Sequence, residues 1–171
     1  MTPQFAFLAG EYFGLSLQAA TQRAGIWADG VPESDRRELH LHLRNLLEKT
    51  VGQYVKPVHE ATHIKNIERI AESLTRRHSG LLVDHRFRIG PTQKALNLYL
   101  KYMWCAGHIA MPPHCPVDAV VLKSLKLAPP ISWTKMYSIQ EYTEVIAALK
   151  VVAAPSPLAE WELGEWVRRD A

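Results

Sequence analysis

A glutamate between two histidines four residues apart, His59-Glu60-Ala61-Thr62-His63, is a spacing with chemical meaning. On a helix both imidazoles share one face and can bind zinc while the carboxylate acts as general base. The flanking residues argue against that use. Ala61 and Lys65 hold positions where such helices carry apolar or small residues, and Asn66 and Arg69 stand where a glycine turn and a third histidine would follow. Without metal the same motif is a helix start in which Glu60 complements the macrodipole. A second donor set, Cys105, His108, His114 and Cys115, offers thiolates and imidazoles for a tetrahedral site. Adjacent His114 and Cys115 can ligate one metal only with an awkward backbone, and a helical Cys105 reads more simply as a small buried hydrophobe. No metal or cofactor is expected.

A third constellation pairs Lys94 with Asp118 inside the stretch from Phe87 to Leu122. This segment runs from a glycine turn through a nearly all-apolar helix into a Pro-Pro-His-Cys-Pro loop, and delivers Asp118 to the start of another helix. A desolvated carboxylate can stabilise a developing cation or activate a nucleophile. A lysine of lowered pKa can attack an electrophilic carbon and form a Schiff base.

With Ile89-Gly90-Pro91 as a hairpin turn, Ala95 as a small packing residue and Pro116-Val117-Asp118 as the delivery of the acid, the segment resembles the core of the helix-hairpin-helix DNA glycosylases. The resemblance covers about 36 of 171 residues. Arg88 stands where the family's first hairpin glycine would be, and Lys94 lies four positions after Gly90 rather than two, the nearer slot holding Thr92. The resemblance implies DNA as partner and cleavage of the N-glycosidic bond of a damaged or modified base. Asp118 would stabilise the oxocarbenium-like sugar and Lys94 would be the Schiff-base lysine, with Lys101 as an alternative on the same helix. Arg86, Arg88, Gly90, Thr92 and Lys123 would hold the DNA backbone. A flipped base would enter among Tyr99, Tyr102, Trp104 and Trp133. Two other classes stand beside this one: a non-enzymatic helical interaction module, and a zinc-dependent hydrolase through His59, Glu60 and His63.

The elements that must position these residues are helical. Apolar residues recur at helical spacing over 3–24 (Phe5, Leu8, Tyr12, Leu15), 35–55 (Leu39, Leu43, Leu46, Leu47) and 59–78 (Ile64, Ile67, Ile70, Leu74). Ser34 or Asp35 is the expected N-cap of the second helix, and Gly80 the C-cap of the third. A helix over 92–105 leaves little polar surface and belongs at the centre. Another follows over 116–127. Ser138 and Glu141 form a capping box opening a helix to about 152, and Ser156-Pro157 opens the last. The expected fold is all-α: a compact bundle around the central helix with a helix-hairpin-helix-like segment, one domain over 1–171, with 138–171 as a possible helical extension.

Composition is that of a globular protein, with a net charge of +3 that tolerates an anionic partner without demanding one. No apolar run reaches the ~18 residues that span a bilayer. The first residues lack a basic region and include Glu11, so no secretory signal is expected. Two cysteines make no disulfide framework, and the cytoplasm is the expected compartment. Oligomeric state is left open by the sequence.

Overall fold

The computed structural model describes residues 2–127 and 130–169, and within them the chain is all-α. Seven α-helices follow in order: α1 (Pro3–Thr21), α2 (Glu33–Val51), α3 (Glu60–His78), α4 (Ile89–Cys105), α5 (Ala119–Lys123), α6 (Ile139–Ala153) and α7 (Leu158–Arg169). Among the described residues no helix is long and apolar enough to cross a membrane.

Helix α4 takes the central position, because leaving its apolar side chains in water costs about 25 cal/mol for each Å² of exposed apolar surface. On α4, Ala95, Leu96, Tyr99, Leu100 and Met103 are all buried. Helix α1 lies along it, with Tyr12 stacked on Tyr102 at 5.4 Å between ring centroids. On the other side α3 packs against α4 and α2 against α3, through Leu39, Leu43, Leu47, Ile67, Ile70 and Leu74. Helix α6 enters the same hydrophobic cluster through Tyr142, Val145, Ile146 and Leu149, and α7 pairs with α6.

Several boundaries differ from the sequence expectation, each for a local reason. Helix α2 begins at Glu33 with Pro32 as N-cap, rather than at Ser34 or Asp35. Ser79, not Gly80, caps the end of α3. Helix α4 starts three residues earlier than 92, with Gly90 and Pro91 inside its first turn. Proline is tolerated there because an N–H in the first turn has no partner within the helix. The helix expected over 116–127 contracts to α5, since Pro116 and Val117 are held outside it by contacts described below, and the chain turns at Lys126, whose φ is +52°. The capping box at Ser138 and Glu141 forms as expected.

Gly90 marks a close approach between α4 and the chain after it. A short 3-10 turn, Trp133–Lys135, crosses the start of α4, and the Gly90 N–H donates to the Met136 carbonyl at 3.0 Å. A Cβ on Gly90 would stand 1.8 Å from the Trp133 carbonyl oxygen. Gly90→Ala is therefore expected to cost about 3 kcal/mol or more, because the obstruction is backbone and cannot rotate away. Denaturant unfolding checks this; an unchanged midpoint would mean that 133–136 does not press on α4.

Candidate functional site

A polar row runs along α4 inside its apolar surroundings. Gln93, Asn97 and Lys101 recur every four residues and so share one stripe, with Lys94 beside it. Gln93 and Asn97 are fully buried. An uncompensated buried amide costs several kcal/mol, so each must find partners. They find them in the proline loop, 112–118.

Gln93 grips Val117 from both sides: its Nε2 donates to the Val117 carbonyl at 2.7 Å and its Oε1 accepts from the Val117 N–H at 3.1 Å. Asn97 Nδ2 donates to the Cys115 carbonyl and to the Tyr142 hydroxyl, both at 3.0 Å. Tyr142 in turn meets His114 Nδ1 at 2.8 Å, and His114 Nε2 meets Glu60 Oε1 at 3.0 Å. A carboxylate only accepts, so Nε2 carries the hydrogen and Nδ1 accepts from the tyrosine. Lys150 closes the chain at the surface, donating to Glu60 Oε2 at 2.5 Å. One continuous set of hydrogen bonds thus ties α3, α4, the proline loop and α6.

Burial dominates the protonation of this set. It brings His114 down to about 4 from an ordinary 6.5, with Glu60 opposing the shift. It also holds His63 well below its ordinary value, helped by nearby His114 and opposed by Asn97. His63 Nδ1 lies 2.7 Å from the Tyr54 hydroxyl, and its ring stands edge-on to His114 at 4.6 Å. His63 Nε2 and Asn97 Oδ1 are buried without a well-formed hydrogen bond, although they are complementary as donor and acceptor. Glu60 is lowered, chiefly by its hydrogen bond to Lys150 and then by that to His114.

The sequence-predicted pair is brought together. Lys94 Nζ lies 3.5 Å from Asp118 Oδ2, across 24 residues of chain, and 4.4 Å from the Trp133 ring centroid. Burial lowers the Lys94 pKa against the pull of Asp118. Asp118 is also the N-cap of α5: its Oδ1 accepts from the N–H groups of Val120 at 2.9 Å and Val121 at 3.0 Å. Further along the row, Lys101 pairs with Glu162 of α7 at 2.7 Å, both largely buried. Lys101 is therefore tied to α7.

The expected phosphate grip is corrected. Arg88 is turned inward, donating to the carbonyls of Ala24 and Gly25. The Gly90 N–H is engaged by Met136, and Thr92 is fully buried with its hydroxyl donating to the Arg88 carbonyl at 2.8 Å. Two of the expected DNA contacts are exposed, on separate hollows: Arg86 with Arg76, Glu68 and Glu72, and Lys123 beside Ala119, Leu122 and Lys126. The metal motifs do not assemble either. His59 is the exposed N-cap of α3 while His63 faces the core. Cys105 and His108 are exposed while His114 and Cys115 are buried, the Cys115 thiol pushed far up by burial. Among the described residues no three His, Cys, Asp or Glu side chains are grouped to hold an ion.

A hollow of about 500 Å³ is lined by Leu125, Leu127, Ile131, Lys135 and Met136 together with Glu144 and Val145 of α6. The chain matches no family model, no curated protein and no solved structure.

Sequence reasoning missed Gln93, Asn97 and Tyr142, and missed the link from Glu60 to His114. The signal for the carboxamides was present: polar residues four apart in a helix with no other reason to be polar.

His114 sets a pH dependence. Its folded pKa lies below the unfolded value, so the unfolded chain takes up the proton first. Stability is then full above about 6.5 and falls as pH drops from 6.5 toward 4. The loss from this group amounts to a few kcal/mol, at about 1.4 kcal/mol per unit. Chemical denaturation at stepped pH checks it: His114→Gln is expected to flatten the slope by about one proton, and an unchanged slope would contradict the assignment.

Proposed function

We propose that this chain is a non-enzymatic helical interaction module. One observation supports the reading most directly: the groups best suited to chemistry satisfy one another within the fold. Asp118 gives one oxygen to the start of α5 and turns the other to Lys94. Lys94 is sandwiched between that carboxylate and Trp133. Neither residue lines the hollow beside α6, whose walls are mostly apolar side chains. The same residues at the same spacing thus serve as cross-links between α4, the proline loop and the 133–136 turn.

A second reading has a specific observation in its favour. The 3.5 Å approach of Lys94 to Asp118, with the ammonium disfavoured by burial, is the pairing that a glycosylase with Schiff-base chemistry would use. A deoxyribose would have to take the place now held between the two side chains, and the phosphate contacts would fall to Arg86 and Lys123 alone.

Borohydride trapping on duplex oligonucleotides carrying damaged bases, together with an assay of base release, separates the two. The module reading expects neither adduct nor release. It expects Lys94→Gln and Asp118→Asn each to lower unfolding stability by about 1–3 kcal/mol. An adduct that disappears in a folded Lys94→Gln variant, or base release abolished by a folded Asp118→Asn variant, would establish the enzyme instead.

A further inference from the structure

Two histidines stand nitrogen to nitrogen on the flank where α2 meets α3. His42 Nδ1 lies 3.0 Å from His78 Nε2, with the rings tilted 55° to one another. The helical pattern puts them there. His42 sits between Leu39 and Leu43 at the edge of the buried face of α2, and His78 follows Leu74 by one turn on α3. As neutral rings the pair shares one hydrogen, which one nitrogen donates and the other accepts. Ser73 Oγ stands 3.3 Å from His42 Nε2. By accepting that N–H it leaves Nδ1 as the lone-pair end of the ring, turned toward His78. One turn before His42, Glu38 extends from the same side of α2. Its Oε1 accepts from Arg77 at 2.7 Å, with side chains 58% and 60% exposed. An ion pair this exposed contributes little and exchanges partners readily.

We propose that His42, His78 and Glu38 bind a divalent first-row transition metal ion such as zinc, which clips α2 to α3. With metal–nitrogen bonds of ~2.0–2.1 Å, two cis imidazole nitrogens stand about 2.9–3.4 Å apart, a spacing this pair already holds. Small ring rotations turn both lone pairs to the ion, while His78 carries its hydrogen on Nδ1. The Ser73 contact then serves as the outer hydrogen bond that fixes the tautomer and orientation of a ligating histidine. Glu38 becomes the third ligand when it leaves Arg77, whose exposed guanidinium turns to water. Without metal that carboxylate is held by Arg77, so two donors converge rather than three. The carboxylate also offsets the repulsion between Arg77 and the ion. Water completes a four-coordinate shell. Magnesium and calcium suit the site less well, because they take oxygen ligands. Neither histidine belongs to the motifs that suggest metal in the sequence, since the pair meets across 36 residues through the packing of α2 on α3. The site goes beyond the interaction-module reading and does not depend on it.

Calorimetric titration of the full chain, stripped with a chelator, against zinc chloride tests the site. Wild type is expected to take up one ion per chain. His42→Ala is expected to weaken that binding by about a hundredfold, and Glu38→Gln and Ser73→Ala by about tenfold each. His59→Ala, which changes an exposed histidine at the far end of α3, is expected to leave it unchanged. Zinc in excess is also expected to raise the thermal midpoint of wild type by several degrees and that of His42→Ala by none. Circular dichroism checks that each variant folds, and Glu38→Gln, a change at an exposed position, keeps the test open if His42→Ala does not. Absence of saturable binding by wild type overturns the proposal. So does affinity unchanged in folded His42→Ala, or affinity lost in His59→Ala. Affinity unchanged in Glu38→Gln overturns the three-ligand site, leaving a bare histidine pair.

Discussion

Two carboxamides inside an apolar helix impose the constraint on which this molecule is organised. Gln93 and Asn97 sit where water does not reach, and most of their hydrogen bonds go to groups outside their own helix. The proline loop matches them with backbone, through Val117 and Cys115. Prolines suit the task because they cannot be drawn into the flanking helices, which leaves the intervening carbonyls free to accept. Fixing Val117 then fixes Asp118, and Asp118 decides where α5 begins and where Lys94 rests.

The same arrangement explains why residues that suggest chemistry coincide with residues that hold the bundle. A buried acid, amine and histidine are costly alone and acceptable only in company. Asp118 meets Lys94, Glu162 meets Lys101, and His114 stands neutral between Tyr142 and Glu60. From a distance this concentration of ionisable groups around a cleft-like loop has the composition of an active site. Its geometry is that of a cross-linked interior, with surface access through Glu60 and Lys150.

Much of the fold was legible in the chain because apolar periodicity reports directly on burial. The spacing of Leu39, Leu43 and Leu47, or of Ile67, Ile70 and Leu74, leaves few alternatives to helices facing a common core. The capping box at Ser138 was equally local and equally readable. Legibility failed where a long-range contact overrode local pattern. The run after Pro116 looks helical, yet Gln93 holds Val117 out of the helix. Ile89-Gly90-Pro91 looks like an exposed turn suited to phosphate, yet the backbone of Trp133 and Met136 covers it. Of the candidate site, the encounter of Lys94 with Asp118 was anticipated, but not the second commitment of Asp118 to its own helix. Arg88 illustrates the same limit: nothing near it in sequence signals that its guanidinium turns inward to the carbonyls of Ala24 and Gly25.

The clamp itself is open to direct observation. Amide hydrogen exchange in wild type and in Gln93→Leu would follow the Val117 N–H, a loop amide with no place in any helix. The account predicts that in wild type it exchanges as slowly as core amides of α3 and α4, opening only with global unfolding, and that Gln93→Leu releases it while α1 to α3 stay protected. Rapid exchange at Val117 in the wild-type protein, or protection that survives loss of the glutamine, would contradict it.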